Sequence, residues 1–236
     1  MGVDRVIREL EESGKIVFST KEFIRYAGVS SDVAYVYLNR LVDRGLVKRI
    51  KRGVYSLTND IFLIANNIVK PSYFSFSTAF YLHGKFSYVI NKLFLCNSKK
   101  SSLFLIDDNK VQFVRLKKNL MFGFVKKKRK NGYIFVAELE KALLDCIYLP
   151  RYCRIKWVMD VMRENIDYIN LEKLEKFLEL YKSEAVRRRL GYLLDLLNIK
   201  HEIRPESNTI YRLNPSIRIK GVLNHKWRLY INEVLS

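Results

Sequence analysis

The chain is 236 residues long, 49% hydrophobic and 13% aromatic, with a formal net charge of +19. That length admits one large domain or two modest ones, and the apolar content is enough for a substantial core. There is no 18-residue uncharged apolar run, and the N-terminus alternates charge where a signal peptide would be apolar. These features exclude a transmembrane helix and predict a cytoplasmic protein with no membrane partner. The three cysteines, Cys96, Cys146 and Cys153, are odd in number and form no C-x-x-C pair, so core packing is expected of them and not a disulfide framework.

In chain order, residues 3–13 read as an amphipathic helix with Val3, Val6, Ile7 and Leu10 on one side, stopped by Gly14. Ile16-Val17-Phe18 is apolar and suits a short strand. From Ser19 to Leu57 the pattern is two short helices, a turn at Gly28 and a two-stranded hairpin. Ser19 or Thr20 can cap the first helix, and Ser30 or Ser31 the second, from about Asp32 to about Arg44. Val47–Ile50 and Val54–Leu57 flank a basic tip, Lys51-Arg52-Gly53. This order predicts a winged helix-turn-helix over residues 1–58, whose second helix enters a DNA major groove. Ala34, Leu38 and Leu41 form its inward stripe. Ser30, Ser31, Tyr35, Asn39 and Arg40 are the candidate groove residues, and Val33 and Tyr37 fit either face. Lys48, Arg49, Lys51 and Arg52 are the candidate phosphate contacts of the wing.

Residues 59–236 read as a larger α+β domain, with antiparallel strands first and a helical bundle after them. Asn59 or Asp60 can cap a largely apolar helix that Pro71 ends, and a short helix at Ala79–His83 follows. His83 has no second ligand-type residue nearby and reads as a packed helix-end residue. Residues 92–137 are strand-like, with a hairpin turn at Asp107-Asp108-Asn109. Those two carboxylates have no third acid at ligand spacing, so no metal site is predicted. Lys126, Lys127, Lys128, Arg129 and Lys130 precede Asn131-Gly132 and read as an exposed, mobile hairpin tip able to contact phosphate. Four helices follow from Val136, the last carrying Arg187-Arg188-Arg189, where Arg187 and Arg188 are further candidate phosphate contacts.

The charge is unevenly placed. Residues 1–57 hold 11 Lys and Arg against 7 Asp and Glu, whereas residues 58–137 hold 14 against 3, an excess of +11. Such an excess fits a polyanionic partner, and it lies behind the expected winged helix. An RNA-binding module built on the basic β segment and its aromatics is therefore the alternative reading. No phosphate-binding glycine loop, dinucleotide fingerprint, H-E-x-x-H or G-x-S-x-G motif occurs, so no cofactor and no enzymatic activity are expected.

Three segments in this order, RGLVKRIKRGVYSL, AELEKALLDCIYLPRY and RRRLGYLLDLL, together resemble the AbiEi-type antitoxin family of transcriptional regulators from viral-defence systems, as does STAFYLHG. The resemblance implies an N-terminal winged helix that binds operator double-stranded DNA and represses its own operon. It also implies a C-terminal domain that counters a nucleotidyltransferase toxin in a type IV toxin-antitoxin system, without requiring a stable complex.

Overall fold

The computed structural model describes residues 3–235 and shows a mixed α+β chain with two separate hydrophobic cores. The first core lies within residues 6–55. It is built by α1 (Val3–Glu12), β1 (Val17–Ser19), α2 (Thr20–Ala27), α3 (Ser31–Asp43), β2 (Lys48–Lys51) and β3 (Val54–Ser56). Ala34, Leu38 and Leu41 of α3 are buried there with Phe18, Phe23 and Tyr55. β1, β3 and β2 form an antiparallel sheet with β3 central.

The turn between α2 and α3 follows from one glycine. Gly28 sits at φ 62°, ψ 32°, and its N–H donates to the Ile24 carbonyl, closing α2 in the left-handed conformation that side chains resist. At the other end of α2, Ser19 and Glu22 form a reciprocal capping box. Burial works to raise the Glu22 pKa, but bonds from Lys15 and from the Ser19 N–H and hydroxyl win and hold it at about 2. A depressed folded-state pKa stabilises above the unfolded value of 4.5 and ceases to do so as pH falls toward 2. Urea midpoints measured across that window should therefore decline less steeply for Glu22→Gln than for the wild type; parallel declines would contradict this role.

The second core belongs to α4 (Ile61–Ile68), β4 (Ser72–Phe74), α5 (Phe76–Leu82), β5 (Lys92–Asn97), β6 (Ser102–Ile106), β7 (Asn109–Arg115), β8 (Phe124–Arg129), β9 (Gly132–Ala137), α6 (Leu139–Tyr148), α7 (Ile155–Glu164), α8 (Leu171–Tyr181) and α9 (Glu184–Leu196). Its sheet has the order β6-β7-β5-β4-β9-β8. The expectation of an antiparallel sheet needs correction. β5 runs parallel to β7, with β6 as the returning segment between them, and β4 runs parallel to β9, with α5 and β5 to β8 intervening. The tail adds β10 (Tyr211–Arg212), β11 (Val222–Asn224) and β12 (Leu229–Ile231), with β12 central.

Arg188 is not a phosphate contact. It is fully buried, its Nε bonds Glu184 at 2.6 Å, and its guanidinium holds the carbonyls of Ser207, Thr209 and Trp227, tying the tail to α9. Arg187 is likewise taken up, by Glu179, Glu184 and Glu206. Arg189 donates to the Ile147 and Arg212 carbonyls, and burial lowers its pKa to about 10. All three cysteines are free and buried, and burial raises the thiol pKa values of Cys96 and Cys146.

Candidate nucleic-acid interface

The outer face of α3 is open. Ser30, Ser31, Tyr35, Asn39 and Arg40 are all exposed, Tyr35 to 47%. The side chains of Asn39 and Arg40 have no hydrogen-bond or ionic partner among the described residues, so their donors face solvent. Val33 and Val36 are exposed beside them, at 39% and 48%. Exposed valines on such a helix can meet thymine methyl groups. Val36 escaped the sequence reading because an apolar residue near an apolar stripe is assigned to the core by default. Tyr37 turns the other way and packs against the small core. Lys21 and Arg25, both exposed on α2, are cations that sequence reasoning did not select.

The four hairpin cations separate into two pairs. Lys48 is ion-paired with Asp107 in the β6–β7 turn, and Lys51 Nζ lies 4.8 Å from the centre of the Phe104 ring of β6. Arg49 and Arg52 are exposed and have no side-chain partner among the described residues. A register shift between Arg49 and Lys51 turns the hairpin, so that neighbouring cations are not all aimed the same way. Ile16, Val17 and Ile50 pack on the larger core at the same junction. Gly132 leaves room for this contact: a Cβ there would lie 2.8 Å from Ile16 Cδ1. The winged unit thus rests on the six-stranded sheet through apolar packing, an ion pair and a cation–π contact.

The basic run does not form a hairpin tip as expected. Lys126 to Arg129 lie in β8, and the tip is Lys130-Asn131. Strand alternation splits the run. Lys127 donates to the Leu82 carbonyl and to His83 Nδ1, while Arg129 clasps Asp60, the N-cap of α4, at 2.9 and 3.0 Å and lies over Phe62. Lys130 adds to Asp60 at 3.6 Å. Burial raises the Asp60 pKa, but Arg129 and the Leu63 and Phe62 amides lower it further, leaving it below the usual carboxylate range. His83 Nε2 lies 2.8 Å from the Ala137 carbonyl, which can only accept, so that nitrogen carries the proton. Burial lowers the pKa of His83, in keeping with a neutral ring that accepts from Lys127. Lys126 and Lys128 remain on the opposite face of β8, both exposed.

A fully buried polar cluster sits behind the sheet. Asp145 accepts from Lys141 at 2.5 Å, Tyr181 at 2.6 Å, Ser75 at 2.7 Å and Tyr73 at 3.3 Å. Burial and the Asp145 charge push both tyrosine pKa values well up, so the phenols stay protonated donors. Among the described residues, no group of three or more His, Cys, Asp or Glu side chains is placed to hold a metal ion.

No described helix is long and apolar enough to cross a membrane. A comparison with curated proteins gives no match. Among solved structures, the fold is similar to the crystal structure of the RV2827C protein from Mycobacterium tuberculosis, with a TM-score of 0.60 and 14% identity, covering 96% of this chain and 89% of that one. Residues 5–58, the winged unit, match the family described as "Transcriptional regulator, AbiEi antitoxin". The family similarity is thus a property of the winged unit, residues 5–58 of the 236.

Proposed function

We propose that this protein binds operator double-stranded DNA through its winged helix, represses its own operon, and serves as the antitoxin of a type IV system opposing a nucleotidyltransferase toxin. The observation that carries the reading is the open face of α3, where Tyr35, Asn39 and Arg40 project with no competing partner among the described residues, while Arg49 and Arg52 are likewise exposed on the hairpin. In this docking, Ser30, Ser31, Tyr35, Asn39 and Arg40 face the groove. Arg49 and Arg52 contact phosphates, and Lys48 and Lys51 also brace the hairpin against the larger domain. The family match supports a regulator that binds DNA and pairs with a toxin.

The test is fluorescence anisotropy on the duplex upstream of the chain's own coding sequence, repeated over a salt series. Asn39→Ala should alter sequence preference by about 1–3 kcal/mol at one base position. Arg52→Ala should weaken all duplexes alike and reduce the log–log salt slope by about 1. Asp107→Asn, which keeps the φ 50° turn tolerable, releases Lys48 and should steepen the slope by about 0.9. Wild-type affinity and slope in all three variants would refute the docking. For the toxin arm, cells expressing an adjacent nucleotidyltransferase gene should regain growth when this chain is supplied, and continued arrest would count against that pairing.

A further inference from the structure

One exposed surface is not used by the winged helix. On β8, Phe124, Lys126 and Lys128 share a face, and the register places Lys126 opposite Phe135 and Lys128 opposite Tyr133 on β9. Phe124, Tyr133 and Phe135 are 36%, 49% and 39% exposed, so three aromatic rings and two lysines line the outer hairpin of the sheet. The rings run into a cleft of about 460 Å³, lined also by Tyr73, Met121, Pro71, Asn67 and Lys70. Its floor is rigid: Tyr73 stacks on Phe124 at 4.8 Å, and its hydroxyl is held by Asp145. Asn67 donates Nδ2 to the Leu63 carbonyl at 2.8 Å, and its Oδ1 accepts from no described residue.

Lys70 and Asn67 also line a second cleft of about 410 Å³, where the winged unit meets the larger domain, together with Lys15 and Lys99. Lys70, Lys99 and Lys128 have no acidic partner among the described residues. No carboxylate lines the aromatic cleft, and the one in the adjoining cleft, Glu22, is bound to Lys15. The two clefts share Asn67 and Lys70, with the rings lining one and Lys99 the other, and Lys126 Nζ lies 4.0 Å from the centre of the Tyr133 ring.

We propose that these two clefts bind single-stranded nucleic acid, independently of the duplex-reading helix. Unpaired bases would stack against Phe124, Tyr133 and Phe135, Asn67 Oδ1 would accept from a base N–H, and Lys70, Lys99, Lys126 and Lys128 would meet phosphates. A duplex keeps its base faces stacked inside and has nothing to offer these rings, whereas a single strand offers both the face and the charge. Lysines on separate elements, Lys99 after β5, Lys70 after α4 and Lys128 on β8, favour a strand over a single nucleotide. The site also accounts for part of the +11 excess of residues 58–137 that the winged helix leaves unused.

The test uses the full chain, with labelled oligouridylate and oligothymidylate as probes and duplex DNA, a mononucleotide and polyglutamate as competitors. Tyr133→Ala and Phe135→Ala should each weaken single-strand binding roughly tenfold, Phe135→Tyr should retain it, and both alanine variants should keep duplex binding and thermal unfolding as in the wild type. Asn39→Ala should leave single-strand affinity unchanged. Three outcomes would each overturn the proposal: alanine variants that bind the strands like the wild type, polyglutamate competing as well as unlabelled strand, or a mononucleotide accounting for the full affinity. None of these bears on duplex recognition by α3, so the two readings fail separately.

Discussion

Replacing Lys141 with Met should destabilise the larger domain by about 3–5 kcal/mol, the range for breaking a buried ion pair by removing one partner. Lys141 and Asp145 have fully buried side chains one helical turn apart in α6. Without the ammonium, the carboxylate keeps three hydroxyl donors, from Ser75, Tyr73 and Tyr181, but no compensating charge. The Lys141→Met, Asp145→Leu double variant should recover only part of the loss. It removes the isolated charge but leaves those hydroxyls without their acceptor, and an unmatched buried polar group costs about 1–3 kcal/mol. Denaturation followed by tryptophan fluorescence checks this cleanly, because Trp157 and Trp227 both lie in the larger domain. A loss below about 1 kcal/mol in the single variant would mean that water reaches the pair.

Gly191→Ala should be nearly as damaging. Glycine inside a helix ordinarily costs about 1 kcal/mol relative to alanine, so the substitution would stabilise an open α9. Here a Cβ would fall 2.0 Å from Trp227 Cη2 and 2.4 Å from Cζ3. The indole cannot step aside easily: it is 1% exposed, and its Nε1 donates to Asp195. Relieving the overlap means lifting the tail off α9, at a net cost of about 2 kcal/mol or more. Combining the substitution with Trp227→Phe, which deletes the overlapping ring atoms, should restore much of the loss. If Gly191→Ala is as stable as wild type, the tail does not pack as described.

Most of the small unit was legible in the sequence because its signals are local. The Ala34, Leu38, Leu41 stripe, the Ser19–Glu22 spacing and Gly28 each act within one or two turns of helix. What was missed depends on partners far away in the chain. Arg188 looks like a surface cation, yet its acceptors are carbonyls 19 to 39 residues downstream. Lys141 and Asp145 resemble any exposed i, i+4 pair until Tyr73, Ser75 and Tyr181 arrive from other elements. The run from Lys126 to Lys130 reads as a solvated tip because five like charges repel, and only alternation across β8, with Asp60 waiting on one side, makes it strand. The same distance effect concealed the aromatic cleft, whose lining comes from residues 66 to 135.

The seating of the hairpin on β6 has a consequence for the entropy of binding. A wing that hung free would have to be immobilised while the complex formed, and that lost freedom would subtract from affinity. With Lys48 tied to Asp107 and Lys51 laid on Phe104, the immobilisation is completed during folding. The protein therefore approaches a groove as one stiff tool, and the angular setting of its blade is machined into the handle.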